Sequence, residues 1–147
     1  MWNQLDGLTG LLSQKSYLNR TLKLQPEDKM LIVFDLDNFK YINDTYGHQA
    51  GDQCLKVIAE CLKKAYSRYG NCYRIGGDEF VFLSTVSDSE KEFLKLQRDF
   101  EASLGTLKLP DGSEHPITVA MGYSVLTHNM PRSMDDMVRE ADAKMYE

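Results

Sequence analysis

Apolar positions along the chain follow two rhythms, and the switches between them mark the elements. Leu31-Ile32-Val33-Phe34 is an unbroken apolar run, the pattern of a strand covered on both faces. Cys54, Val57, Ile58, Cys61, Leu62, Ala65, Tyr66 and Tyr69 recur every three or four positions, which predicts an amphipathic helix that Gly70 stops. Cys72–Ile75 and Glu79–Leu83 flank Gly76-Gly77 and read as a strand, a tight hairpin and a strand. Upstream, Ser13 can cap a helix running to about Leu24, with Tyr17, Leu18 and Leu22 inward and Pro26-Glu27-Asp28 ending it. A short helix is expected from Asn38 to Tyr46, closed by Gly47.

Downstream, a helix from about Ser87 to Leu104 turns Phe93, Leu96, Phe100 and Leu104 inward. Asp111-Gly112 signals a turn, expected in a hairpin whose second strand runs from Ile117 to Leu126. Ser133-Met134-Asp135-Asp136 forms a capping box that opens a last helix, with Met134, Met137, Ala141 and Met145 as its inner stripe. The β-α-β-β-α-β order within this series predicts a ferredoxin-like α/β (α+β) core. Its central sheet would be mostly antiparallel and flanked by helices.

Composition narrows the picture. The 147 residues suit one domain, and 42% apolar content is enough for a sizeable core. Net charge is −5 with no long basic run, which argues against a nucleic-acid surface. A nucleotide substrate stays open, because bound cations reverse local charge. No apolar run approaches the roughly 18 residues that span a bilayer, and no signal peptide is visible. Cys54, Cys61 and Cys72 are odd in number and lack CxxC spacing, so they read as buried thiols in a reducing cytosol.

The chemistry lies in two acid pairs. Asp35 and Asp37 follow the buried run, where an uncompensated carboxylate is costly or shifts its pKa. They are either solvated loop acids, one of them capping the next helix, or half of a site. Asp78 and Glu79 stand just past the Gly76-Gly77 bend, which is either an ordinary turn or a close approach to a ligand. If the hairpin is sheet neighbour to the strand ending at Phe34, Asp35 and Asp78 converge as hard ligands for magnesium. Two such ions can activate a hydroxyl and steady a leaving pyrophosphate. Gly51-Asp52 reads as a helix opening, where Asp52 either caps or accepts from the adjacent N1–H and 2-amino donors of guanine. His48 reads as a packed, hydrogen-bonded histidine.

Taken together these residues resemble the GGDEF family of diguanylate cyclases. The resemblance runs through Asp6-Gly7-Leu8-Thr9-Gly10-Leu11 and Phe34-Asp35-Leu36-Asp37-Asn38-Phe39-Lys40 with Asn43-Asp44. It continues through Gly47-His48 with Gly51-Asp52, Arg74-Ile75-Gly76-Gly77-Asp78-Glu79-Phe80, and Ala141-Asp142 with Tyr146. It implies a palm-type nucleotidyl-cyclase fold and condensation of two GTP into cyclic di-GMP and pyrophosphate across two facing copies. Asp35, Asp78 and the Leu36 carbonyl would ligate two Mg2+ or Mn2+ ions. Asn43 and Asp52 would read guanine, backbone N–H groups around Phe39 and Lys40 would hold phosphates, and Gly76 and Gly77 would admit the substrate. Glu79 would aid deprotonation of the 3′-hydroxyl or organise the metals.

The same resemblance makes residues 1–147 a single GGDEF domain, a C-terminally shortened piece of a larger cytoplasmic bacterial signalling protein with an N-terminal sensor or dimerisation domain. A Lys and an Arg usual beyond the Tyr146 position are absent, which predicts weak GTP binding and poor turnover in this fragment. Ser67 and Gly70 stand where many members carry an inhibitory Arg-x-x-Asp, so no inhibitory product site is expected. The alternatives are a catalytically inactive GTP-binding regulatory module and another purine nucleotidyl cyclase on the same scaffold.

Overall fold

The computed structural model describes residues 4–21, 30–84, 90–109, 111–125 and 134–145. In chain order these form α1 (Gln14–Thr21), β1 (Met30–Leu36), α2 (Phe39–Tyr46), α3 (His48–Tyr66), β2 (Gly70–Arg74) and β3 (Glu79–Ser84). Then follow α4 (Glu90–Leu104), β4 (Thr106–Lys108), β5 (Glu114–Pro116), β6 (Val119–Val125) and α5 (Met134–Met145). The main sheet has the order β2-β3-β1-β6, with each neighbouring pair antiparallel. Placing the first strand in the middle, between the third and the last, gives the ferredoxin-like order that the alternation predicts.

Strand β1 explains why helices cover both faces. Met30, Ile32, Phe34 and Leu36 join one buried cluster, with Ile42, Cys54, Leu55, Ile58, Leu62, Tyr66 and Phe100 from α2, α3 and α4. Leu31 and Val33 join another, with Tyr17 of α1 and Ala141 of α5. Phe34 packs edge-on against Tyr66 and Phe100, at centroid distances of 5.5 and 5.4 Å. Each such buried side chain contributes roughly 1.5–3 kcal/mol. Gly122 lets α5 lie directly on β6, since a Cβ there would come within 1.8 Å of the Ala141 carbonyl oxygen.

Several expectations need correction. Asp35 does not follow β1; it lies within it, because the sheet pairs the strand to Leu36. Helix α2 starts at Phe39 and not at Asn38, which sits in the left-handed region at φ 61°. Helix α3 begins at His48, so Gly51-Asp52 does not open it, and it ends at Tyr66, so Gly70 does not stop it. Gly70 instead opens β2, where a Cβ would lie 2.1 Å from the Leu83 carbonyl oxygen. Leu18 is 54% exposed rather than inward. The Asp111-Gly112 turn joins β4 to β5 in a separate two-stranded sheet, and β6 returns to the main sheet. Residues 22–29, 85–89 and 126–133 lie outside the described residues, as do the side chains of Phe93, Met134 and Met137. The expected helix end near Leu24, the helix start at Ser87, the last residue of the 117–126 strand and the Ser133 cap therefore go untested. All three cysteines are free and buried, and burial pushes the Cys54 and Cys72 thiols up to about 11 and 12.

Candidate active site

The two acid pairs meet because β1 and β3 are neighbours. Asp35 is paired directly with Glu79, and the Leu36 N–H donates to the Asp78 carbonyl at 3.1 Å. Asp35 and Glu79 continue the alternation of Leu31-Val33 and Val81-Leu83, so both lie on the α5 face of the sheet. Burial pushes the Glu79 carboxyl above its ordinary value, and the charges of Asp142, Asp35 and Asp78 push it further. Carboxylates from β1, β3, α5 and the bend before β3 thus lie at one corner. Asp142 itself is raised by burial. It continues the Val138, Ala141, Met145 stripe of α5, an acid at a sheet-facing position. Asp37, the other acid of the first pair, is exposed in the turn after β1, where its N–H donates to the Thr118 carbonyl at 3.0 Å.

The bend between β2 and β3 is held from its other side. The Arg74 guanidinium donates through Nε to the Gly76 carbonyl at 3.2 Å and through Nη2 to the Gly77 carbonyl at 2.9 Å. Its Nη1 reaches both Asp6 carboxylate oxygens at 3.2 Å. Asp6 also accepts from the Thr9 N–H at 2.9 Å and the Thr9 hydroxyl at 2.8 Å. Burial works to raise Asp6, but the Thr9 hydrogen bonds and Arg74 together hold it below the usual carboxylate range. Neither Gly76 nor Gly77 has positive φ, so a left-handed turn is not why they are glycines. A Cβ at Gly77 would meet no protein atom within 4 Å, which leaves open space at the bend.

A second corner lies on α2 and α3. Asn43, half-buried on α2, keeps its Oδ1 buried and without a protein hydrogen-bond partner. That oxygen rests against Gly51 of α3, where a Cβ would come within 1.9 Å of it. Glycine inside a helix is roughly 1 kcal/mol worse than alanine, so its presence here answers to Asn43 and not to helix stability. Phe39 flanks the same spot, with its Cε1 at 3.2 Å from that Cβ position. Asp52 follows Gly51 and is exposed in the second turn of α3, where it caps nothing. Phe39, Lys40 and Tyr41 open α2, so their N–H groups precede the helix's own hydrogen-bonding register. Asn38, at the cap position, makes no side-chain cap bond.

Comparison with known proteins decides the family: the description "Diguanylate cyclase, GGDEF domain" matches residues 3–147. The chain belongs to the GGDEF family. Among curated proteins this GGDEF domain is 32% identical over 151 residues to the diguanylate cyclase DgcN of Escherichia coli, covering 97% of this chain and 36% of DgcN. It is 33% identical over 147 residues to an uncharacterized 19.3 kDa protein of Streptomyces ambofaciens, covering 96% of this chain and 75% of that protein. Among solved structures, the GGDEF domain of DgcB from Caulobacter crescentus, in complex with c-di-GMP, superposes with a TM-score of 0.82. The identity there is 26%, with 99% of this chain and 90% of that one covered. The diguanylate cyclase SiaD of Pseudomonas aeruginosa, in complex with its activator SiaC, also gives 0.82 at 25% identity, covering 97% of this chain and 56% of that one. The main antiparallel sheet flanked by helices is the architecture of GGDEF domains.

The acid corner of this GGDEF domain offers hard oxygen donors: carboxylates of Asp35, Asp78 and Glu79 beside the main chain of Leu36. Among the described residues, no three or more His, Cys, Asp or Glu side chains are gathered closely enough to hold a metal ion by themselves. A few carboxylates with the other positions left to water and phosphate is the donor set that suits magnesium, and manganese shares its preference for oxygen. In the sequence, Asp6, Thr9, Arg74 and Asp142 stand out only through the family resemblance, and Gly51 only as part of a helix opening. The available signals were an arginine two residues before a Gly-Gly bend and an acid on an apolar helical stripe. No helix among the described residues is long and apolar enough to cross a membrane.

Proposed function

We propose that this domain binds GTP with two Mg2+ or Mn2+ ions and, facing a second copy, condenses two GTP into cyclic di-GMP and pyrophosphate. The observation that carries this reading is the meeting of Asp35, Leu36, Asp78 and Glu79 at one corner of the sheet. Asp35, Asp78 and the Leu36 carbonyl hold the ions. When bound, the ions supply charge that lowers the pKa of the attacking hydroxyl and offsets charge on the leaving pyrophosphate. Glu79, directly opposite Asp35 in the sheet, aids deprotonation of the 3′-hydroxyl or organises the ions. Backbone N–H groups at Phe39 and Lys40 hold the terminal phosphates at the start of α2, and the open space at Gly77 admits them. Asp52 and the Asn43 amide take the guanine edge.

In the parent protein, an N-terminal sensor or dimerisation domain raises the effective concentration of the second copy on the cytoplasmic side. Position 70 has no room for an aspartate, because the Leu83 backbone fills it. With Ser67 and Gly70 at the two motif positions, the domain takes no product at an Arg-x-x-Asp site in this reading, although Arg68 lines an open cleft with Lys64, Lys95 and Asp99 between α3 and α4. A titration with cyclic di-GMP checks this: micromolar inhibition reading out at that cleft would overturn it. The main test is to incubate the domain with GTP and Mg2+, then follow pyrophosphate and cyclic di-GMP. Product that disappears in Asp78→Ala supports the cyclase. GTP binding without product, in a chain extended past Glu147, would make the domain a regulatory binding module instead.

A further inference from the structure

We infer that Gly51 sets selectivity for guanine, by leaving the Asn43 amide room to meet the 2-amino edge of the base. The inference rests on the nucleotide reading above and deepens it. Gly51 is buried in α3, and its backbone has no positive φ to require a glycine. Glycine weakens a helix interior, so alanine would be the better local choice. Against that local preference stands one contact. A Cβ at position 51 would fall 1.9 Å from Asn43 Oδ1 and 2.9 Å from its Cγ. No rotation of a methyl group relieves an overlap of that size, so the amide would have to leave.

The amide is also chemically unfinished. Its Oδ1 is buried and accepts no hydrogen bond from protein, although buried acceptors are normally paired. An amide edge offers one acceptor beside one donor. The sugar-side edge of guanine offers the complement, the 2-amino donor beside the N3 acceptor. A turn of the amide about its last torsion brings the two edges together, and only a side chain without Cβ at position 51 leaves space for that turn. Adenine and hypoxanthine both lack the 2-amino group, so neither satisfies the oxygen. Gly51 therefore acts through Asn43 as a positioning residue, while Asp52 makes its own contact with the base.

Inosine triphosphate keeps N1–H and N3 and loses the 2-amino group, the donor that the Asn43 oxygen would take; the variants separate that contact from the one Asp52 makes. The experiment titrates GTP and ITP, each as the Mg2+ salt up to millimolar concentration, into the chain and three variants by calorimetry. The unaltered chain should prefer GTP about tenfold, the size of one net hydrogen bond. Gly51→Ala should lower that ratio several-fold, to the value that Asn43→Ala gives, with Asp52 keeping the remainder. The double variant N43A/G51A removes the overlap with the amide and leaves only the 3.2 Å approach to Phe39 Cε1, so it should match N43A alone. A loss of GTP and ITP affinity by the same factor in G51A, with the ratio kept, would show a packing role only and overturn the inference. Equal affinity of the unaltered chain for GTP and ITP would also overturn it while leaving the nucleotide site standing. Binding of neither nucleotide would overturn both.

Discussion

The two sides of the Gly76-Gly77 bend treat their carboxylates in opposite ways. On one side Asp6 meets a guanidinium, a hydroxyl and an N–H, and is held below its ordinary pKa. On the other, Glu79 is desolvated among Asp142, Asp35 and Asp78 and is pushed up. The same strand pair carries both arrangements a few residues apart. A carboxylate whose partners come from the protein serves shape. Carboxylates crowded by their own kind raise the energy of the bare fold, and a cation from outside relieves it. The clamp therefore fixes the bend, and the crowded corner is where function lies. Real proteins depart from local optimality at such functional places.

The contrast predicts that variants on the two sides differ in kind. The largest effect belongs to Asp78→Ala, which should lower cyclic di-GMP formation by at least about 100-fold, the scale of losing a key electrostatic group. Its melting temperature should hold or rise, because a repelling charge has gone. A fall in both would break the contrast, since Asp78 would then be structural. Next is Arg74→Ala, which deletes four hydrogen bonds and strands a part-buried acid. The expected cost is about 3 kcal/mol, or a drop of roughly 10 °C by calorimetry at neutral pH. Activity should fall with it, because the bend loses both of its carbonyl tethers.

Asp6→Asn sharpens the clamp side through pH. A carboxyl held low in the folded chain adds stability above its unfolded pKa and loses it as pH falls through the lower, folded value. The unaltered domain should therefore shed about 1 kcal/mol between roughly pH 4 and more acid conditions. The Asn variant should be less stable at pH 7 and draw level with the parent in acid. Parallel melting curves across that range would mean that the Asp6 charge contributes nothing.

How much of this was readable in the sequence follows from which forces act locally. The strands at Leu31–Phe34 and beside Gly76-Gly77 declare themselves by apolar runs and turn chemistry, and their adjacency follows from the fold order. The register does not. That Asp35 stands opposite Glu79 inside β1, not in the loop after it, depends on how far the sheet pairs toward Leu36. Helix α3 could be read at its middle, where Cys54, Ile58 and Leu62 keep period. Its start at His48 was hidden, because Gly51 looked like a boundary when it is a packing position under Asn43. Leu18 fitted the periodicity of α1 yet is exposed, since one apolar residue on a short helix does not fix which face turns inward. The clamp joins Asp6 to Arg74 across 68 residues, and no short-range rule finds such a pair.

The smallest effect tests the crowded corner most directly. Asp142 reaches it from α5, which Gly122 allows to lie close on the sheet. Removing its charge in Asp142→Asn keeps the shape and takes away one repulsion on Glu79. Like charges facing each other across neighbouring elements cost a few tenths of a kcal/mol, and solvent screens part of that. In EDTA and low salt the variant should melt about 1–2 °C above the parent. With millimolar Mg2+ the order should reverse, because the parent's extra negative charge draws the cation more strongly. The sign change, not its size, carries the argument. A core-packing role for Asp142 would shift both melts the same way, and a variant less stable than the parent in EDTA would show that the corner is not repulsive at all.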